Sequence, residues 1–511
     1  MDIYNLPIGQ QYFSNIRKGN ALYIDKTEYI YNICKLDNKA YFLSRPRRFG
    51  KSLTIDTIQE LFEGNKDLFK GLWIEDKWDW TQTHPVLRFS LDTIEHEIAL
   101  PRALIGALQE AGEPHGVTIE AKSPSAGFKE LIKKVAQKTG KSVVVLIDEY
   151  DRPIADYVNS SNLEKARKQR DILKQFLSIL KGSSNHIRLL FITGVSKFAQ
   201  VSIFSDLNHL DDLTIDPRTM ALCGYTQEEL EHYFKDYIAA MPPDTLEKMK
   251  LWYNGYSWDA KTWVYNPFSV LNFFSKKMYR NYWFSTGTPS FLMRIMRQRF
   301  EYRLEETEVP ETILEKFHLD NTEGINLSCL LLQTGYLTIK GVTPYNEYVL
   351  NYPNEEVRQS FGQFLLGEYI YNPNDVAYNT DILKALDSHN LDLVRDTLHN
   401  LIQAIPDQNY ISHEEKFIHA VIHLIFTMIG SDVRSEVHTP TGRIDMVVVR
   451  PEAIFLFEYK INETADAALA YIEQKNYVAH LKHRQKPIVT QLDVELEIFR
   501  GCIKERHFAN H

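Results

Sequence analysis

"SRPRRFGKS" (residues 44–52) closes with Gly50, Lys51 and Ser52, the end of a G-x-x-x-x-G-K-[ST] phosphate-binding loop, but Arg45 stands where the opening glycine belongs. Such a loop needs a strand, a tight turn of backbone N–H groups, and a helix whose N-terminus faces the anion. Both flanks are present. "KAYFLS" (39–44) is a short apolar strand, and "SLTIDTIQELFEG" (52–64) carries apolar residues at helical spacing up to Gly64. In this frame Lys51 reaches the β- and γ-phosphates and Ser52 holds Mg2+. The rest of the loop, Arg45, Pro46, Arg47, Arg48, Phe49 and Gly50, with Leu53 after it, completes the expected nucleotide-binding stretch.

A second half of the site lies about a hundred residues on. "SVVVLIDEYD" (142–151) is apolar on both faces, as a buried parallel strand should be, and it ends in Asp148 and Glu149. This is the Walker B arrangement: Asp148 holds Mg2+ through water, and Glu149 orients or activates the attacking water. "IRLLFITG" (187–194) is another such strand, and Thr193 at its end suits a third polar contact near the γ-phosphate. Arg45, Arg47 and Arg48 have three roles open to them. They could contact phosphates, act across a subunit interface in a homo-oligomer, or pair with the acidic residues after the Walker B strand.

Strands alternating with helices predict a parallel sheet with helices on both faces over residues 1–218. Residues 219–345 change character. "TQEELEHYFKDYI" and "EKMKLWYNGY" are helical, and "YNPFSVLNFF" opens with a turn and a Pro at a helix start. The dense aromatics here (Trp252, Tyr253, Tyr256, Trp258, Trp263, Tyr265, Phe268) are taken as the packed core of a helical subdomain, not as a base-stacking surface. Residues 346–410 form a connector. From 411 to 511 the order is helix ("EEKFIHAVIHLIFTMIG"), two strands ("RIDMVVVR", "AIFLFEYKI"), helix ("ADAALAYIEQKNYVAHL") and strand ("PIVTQLDV"), an αββαβ unit.

That last unit carries a second constellation. Asp445 falls near the start of one strand, and Glu458 and Lys460 near the end of the next; Glu458 and Lys460 share a face because side chains alternate along a strand. Carboxylates so placed bind Mg2+ or Mn2+, and the metal activates water and offsets charge on a phosphodiester. Glu415 on the preceding helix is a further acid for the cluster. His419 and His423, spaced i, i+4 on an apolar helix, lack an H-E-x-x-H pattern and are assigned as hydrogen-bonded structural histidines.

The whole chain bounds these assignments. Its 511 residues suit two to four domains, and 44% hydrophobic with 24% charged residues is ordinary globular composition. No apolar run approaches the ~18 residues of a membrane span, and the start lacks a signal-peptide pattern. Four scattered cysteines without a C-x-x-C pair argue against a disulfide framework and for a reducing cytoplasm. A net charge of −9 gives no general attraction to nucleic acid, so binding would use local patches such as "RPRR" (45–48) or "LKHRQK" (481–486).

Taken together, "ALYIDKTEYIYNI", "FLSRPRRFGKSLTIDTI", "LIDEYDRPI", "DLTIDPRTMALCGYTQEEL", "WYNGYSW", "VYNPFSVLNF", "YWFSTGTPSFL" and "LLLQTGYLTIK" resemble the bacterial AAA-ATPase-like family over nearly the whole chain. The D-x(12)-E-x-K spacing of Asp445, Glu458 and Lys460 resembles the PD-(D/E)xK nuclease signature, with Ile444 in place of Pro. The resemblance implies an α/β fold: a P-loop NTPase parallel sheet, a helical or winged-helix-like middle region and a C-terminal αβ restriction-endonuclease-like domain. It implies ATP and Mg2+ at Lys51, Ser52, Asp148 and Glu149, and nuclease-type roles for Asp445, Glu458, Lys460 and Glu415. It also makes Arg45 the family's own variant of the loop. Tyr471 departs from the pattern, standing where a Gln is frequent, with Gln474 one turn on. Two functions follow: an ATPase whose nucleotide state controls a metal-dependent nuclease acting on DNA or RNA, or an ATP-driven switch whose nuclease fold only grips a partner.

Overall fold

The computed structural model describes residues 5–496 except 38, 93–95, 156, 158–162, 197–209, 285–306, 311–326, 370–376, 389, 404–414, 430–431, 440–441, 451–452, 462–473 and 476–487. Contacts divide the chain into two compact units, Met1–Gly287 with Glu306–Asn354, and Thr288–Glu305 with Glu355–His511.

The first unit is built on a five-stranded, all-parallel sheet: β1 (Lys39–Ser44), β2 (Val86–Ser90), β3 (Val143–Asp148), β4 (Ile187–Gly194) and β5 (Leu210–Asp212), in the order β2-β3-β4-β1-β5. Every residue of β3 and β4 is buried, which accounts for their unbroken apolar sequences. The order sets the site. β4 lies between β1, which feeds the phosphate loop, and β3, which ends in Asp148.

Three helices matter most: α1 (Phe13–Lys18), α2 (Thr27–Cys34) and α3 (Lys51–Glu63). Helix α3 packs on β2 and β3 and stops at Gly64, whose φ of +82° makes the left-handed cap that glycine tolerates best. Residues 219–283 belong to the same compact unit as the sheet. Their helices follow their caps. Thr226 and Glu229 form a reciprocal capping box at Gln227–Tyr233, and Asn266 accepts from the Ser269 N–H at 3.0 Å ahead of Pro267 at the start of Pro267–Lys276. Helix Leu327–Thr334 then leads into a hairpin of β7 (Thr338–Val342) and β8 (Glu347–Asn351), with β6 (Thr307–Pro310) on the far edge of β8, the winged-helix-like part of the fold.

In the second unit, helices Glu355–Tyr369, Ala377–Asp387, Leu391–Gln403 and Glu415–Met428 precede a mixed sheet. Its strands are β9 (Asp432–Thr439), β10 (Gly442–Val449), β11 (Ile454–Ile461) and β12 (Ile488–Leu496), in the order β12-β11-β10-β9, with only β11 and β12 parallel. The expected αββαβ order omits β9. "DVRSEVHT" is mostly polar because β9 is an edge strand, so it offers no apolar run to find. Of the helix expected at "ADAALAYIEQKNYVAHL" only Gln474 and Lys475 are described, and both are helical.

Candidate nucleotide site and a carboxylate strand pair

The loop after β1 is held from several sides. Leu43 and Ser44 lie beside Thr193 and Gly194 of β4, and the Arg45 N–H donates to the Gly194 carbonyl at 3.2 Å. Arg48 adopts φ +67° and Gly50 φ +98°, so two left-handed residues turn the chain into α3. Helix α3 has no side-chain N-cap and no acidic residue in its first turn. Its free N–H groups and positive dipole end are thus left for an anion.

Arg45 does not face that anion site. Its side chain is fully buried, and its guanidinium donates to the carbonyls of Ser44 (2.8 Å), Thr214 (2.8 Å) and Thr219 (3.1 Å). It also stacks over the Trp258 ring at 4.0 Å. Burial lowers its pKa to about 10, still well above neutrality, so the cation persists. The opening position of the loop is therefore a structural anchor. Glycine there would give backbone freedom; arginine instead ties the turn to two other segments.

The aromatic segment that follows the sheet completes the clamp. Phe49 is buried edge-on against Tyr256 and Trp258, and its carbonyl accepts from the Gly224 N–H at 3.3 Å. Trp283 Nε1 donates to the Arg47 carbonyl at 2.9 Å, and the Arg48 guanidinium lies 4.8 Å over Phe268. These aromatics are core residues, as expected, but the core they build is the back of the phosphate loop. Arg45 is held by carbonyls and an aromatic ring, whereas Arg47 and Arg48 line the cleft in front of the loop.

Lys51, 4% exposed, donates from Nζ to the carbonyls of Arg45 (2.8 Å) and Pro46 (3.0 Å). Asp148, 2% exposed, accepts from the Thr193 hydroxyl (2.5 Å) and from the Glu149 N–H (3.1 Å). Thr193, on the intervening strand, thus orients the Walker B carboxylate. Glu149 is half-buried at φ +51°, a strained conformation of the kind that gathers at functional sites. Burial raises its pKa above the ordinary 4.5, against the opposing pull of Lys51.

A cleft of about 470 Å³ opens in front of the loop. Of the expected residues, Arg47, Arg48, Phe49, Gly50, Lys51, Ser52, Leu53 and Glu149 line it; Arg45, Pro46, Asp148 and Thr193 do not. The donor set that lines the cleft fits a nucleoside triphosphate with Mg2+: the Lys51 ammonium, an uncapped helix end, the Ser52 hydroxyl and the Glu149 carboxylate, with Asp148 buried behind it. Sequence reading missed much of the wall. Asp92 and Arg152 line the cleft as well, as do residues from 7–11, 22–26 and 222–225. Only the proximity of "ALYIDK" to the loop could have hinted at this.

In the second unit, Asp445 of β10 is 6% exposed. The β10–β11 register pairs Met446 with Phe457, and one step on come Asp445 and Glu458. Asp445 and Glu458 are thus the next backbone positions beyond the last pair of that antiparallel ladder. On the other side the ladder pairs Ile444 with Val437 and Met446 with Ser435, but skips Asp445 and Glu436, whose φ is +53°. His419 and His423 are buried, and His423 Nδ1 lies 2.8 Å from Ser435 Oγ. The side chains of Glu415, Glu458 and Lys460, and residue Tyr471, lie outside the described part of the structure.

Comparison with known proteins agrees with both halves. Residues 7–204 match the family described as predicted AAA-ATPase, and residues 413–494 match the PD-(D/E)XK nuclease superfamily. An "uncharacterized protein in vnfD 5′ region" of Azotobacter chroococcum mcd 1 is 39% identical over 501 residues, covering 94% of this chain and 95% of that protein. Among the described residues, no helix is long and apolar enough to cross a membrane. By these matches the chain belongs to the bacterial AAA-ATPase-like family, an ATPase-like region joined to a C-terminal PD-(D/E)xK nuclease-superfamily domain.

Proposed function

We propose that the protein binds and hydrolyses ATP with Mg2+ at the loop 45–52 and that nucleotide state controls a metal-dependent nuclease acting on DNA or RNA. The observation that carries the nucleotide half is the position of Lys51. Its ammonium sits on the loop's own carbonyls, at the N-terminus of an uncapped helix, in a cleft shared with Glu149. Bound ATP supplies the phosphoanhydride. Lys51 exchanges its carbonyl partners for phosphate oxygens, and Ser52 and Asp148 hold the Mg2+ side of the site. Glu149 accepts the proton of the attacking water, a task suited to a carboxylate whose pKa is raised toward neutrality.

For the nuclease half, the supporting observation is the β10–β11 register, paired as far as Met446 and Phe457, whose next positions are Asp445 and Glu458. A divalent ion there would supply Lewis acidity. Asp445 and Glu458 hold it, and Lys460, two residues along β11, offsets charge on the phosphate. Incubating the purified full chain with DNA and with RNA, with Mg2+ or Mn2+, with and without ATP, tests both halves. Cleavage that Asp445→Ala abolishes and Lys51→Ala makes insensitive to ATP is the expected result. Cleavage that survives Asp445→Ala removes the assigned metal site. ATP binding without cleavage of any substrate favours the ATP-driven switch with an inactive nuclease fold.

A further inference from the structure

The first unit carries a basic face that the nucleotide site does not use. Helices Pro124–Thr139 and Leu163–Gly182 lie side by side: the Phe128 and Phe176 rings stack at 4.7 Å, and Ser125 Oγ donates to the Gln175 carbonyl at 3.0 Å. Chain order puts both on the sheet face away from α3. β2, β3 and β4 follow one another across the sheet, so right-handed crossovers between them return over one face. The step from β1 to β2 runs the other way and carries α3 over the opposite face. Phe128, Ile132, Val135, Leu173, Phe176 and Leu180 are buried, which leaves the outer side of the pair to polar side chains.

That outer side is rich in lysine. The two helices, 16 and 20 residues long, carry ten Lys or Arg and three Asp or Glu, in a chain whose net charge is −9. Lys129 and Lys133 stand one turn apart on the earlier helix. On the later one Arg167, Lys174 and Lys181 recur every seven residues, a stripe along one side that spans about 21 Å at the helical rise. The acids offset little of this, since Glu130 is held by Lys134 at 2.6 Å and Asp171 by Arg170 at 3.1 Å. Among the described residues, Lys129, Lys133, Lys168, Lys174 and Lys181 make no salt bridge. Neither basic cluster visible in the sequence supplies such a face: Arg45 of 45–48 is buried, and 481–486 lies outside the described residues.

Resting on the nucleic-acid reading above, we infer that this face is a docking surface for duplex DNA, held through its phosphates. Cations spaced along a helix meet the evenly spaced charges of a duplex backbone, and a stripe of about 21 Å runs past about six phosphates of one strand. A single strand calls for aromatic rings on which bases stack, and an anionic membrane for apolar side chains that insert. Among the described residues, no exposed large apolar or aromatic side chain lies on these helices. Duplex RNA is told from DNA through its 2′-hydroxyls, whereas unpaired lysine ammoniums are point charges suited to phosphate alone. Such contacts add affinity and fix orientation but read no base.

The test measures binding of a fluorescent DNA duplex of about 20 base pairs to the full chain across a salt series, in EDTA so that no metal-dependent cleavage intervenes. Lys129→Gln/Lys133→Gln/Lys174→Gln/Lys181→Gln should bind at least about tenfold more weakly than wild type, and its log–log salt slope should fall by about 2 to 4. Either pair alone should give about half that loss on a logarithmic scale. Lys235→Gln/Lys250→Gln removes two exposed lysines elsewhere in the same unit and should stay within about twofold of wild type. None of these lysines makes a salt bridge, so tryptophan fluorescence should show wild-type unfolding in every variant. Affinity unchanged in the fourfold variant, or lost equally in the control, overturns the surface while DNA binding by wild type leaves the nucleic-acid reading standing. Duplex RNA, or vesicles of phosphatidylserine and phosphatidylcholine, bound more tightly than DNA through the same lysines overturns DNA as the occupant. If wild type binds no nucleic acid in any arm, the nucleic-acid reading falls and this surface with it.

Discussion

The Arg45 guanidinium lies 4.0 Å over the ring of Trp258, 213 residues away in sequence, and its N–H groups point at three main-chain carbonyls. The residue that breaks the common phosphate-loop pattern is thus the one that fixes the loop's first turn. Arg45→Ala takes the guanidinium donors away from three main-chain carbonyls and removes the cation–π contact, at a cost of about 3–5 kcal/mol. Arg45→Gly restores the common pattern and should lose as much. All seven tryptophans lie in Met1–Gly287, so denaturant unfolding followed by tryptophan fluorescence reads this unit alone. A Trp258→Leu variant should show coupling to Arg45 of about 1–2 kcal/mol in a double-mutant cycle. Additive effects would mean the stacking is incidental.

Glu149 gives a pH prediction whose direction follows from burial. Its folded pKa lies above the ordinary 4.5, so the folded state holds its proton more tightly than the unfolded chain does. Stability from this group is complete below 4.5 and declines as pH rises through the raised value. Glu149→Gln removes that decline, and wild type and variant should diverge in melting temperature from about pH 4.5 upward. In the same window ATP hydrolysis by wild type should rise with pH, because the base must be ionised. An acid limb centred at or below 4.5 would contradict the assignment.

Trp283 reaches the loop through its indole N–H. Its Nε1–H donates to the Arg47 carbonyl at 2.9 Å. Trp283→Phe keeps most of the ring and should cost about 1 kcal/mol in the same fluorescence assay. It should also weaken ATP binding modestly, because it loosens the loop without touching its donors. A loss of binding as large as that of Lys51→Ala would point to direct contact instead.

Much of the fold was legible because its signals are local. "KAYFLS", "SVVVLIDEYD" and "IRLLFITG" are strands, "YNPFSVLNFF" starts its helix at Pro267, and the helix from Lys51 ends at Gly64. β2 and β9 escaped because each lies at a sheet edge, is short or mostly polar, and shows no unbroken apolar run. The candidate site was legible where adjacent residues form it, since Gly50, Lys51, Ser52 and Glu149 line one cleft, while Asp148 lies outside that lining. It was not legible where it depends on residues far apart in the chain. Arg45 on Trp258, Trp283 on the Arg47 carbonyl, and the Phe13 N–H on Asp56 join segments separated by 43 to 236 residues. Periodicity and spacing do not register such pairings.

The most direct test of the central claim, that "SRPRRFGKS" is a working phosphate loop despite its missing glycine, is the equilibrium affinity of ATP with Mg2+ for wild type and Lys51→Ala. The ammonium accounts for one or more charge-assisted hydrogen bonds to phosphate, each worth about 1.5–3 kcal/mol, so the variant should bind at least about tenfold more weakly. An ATP affinity unchanged by Lys51→Ala would contradict the account.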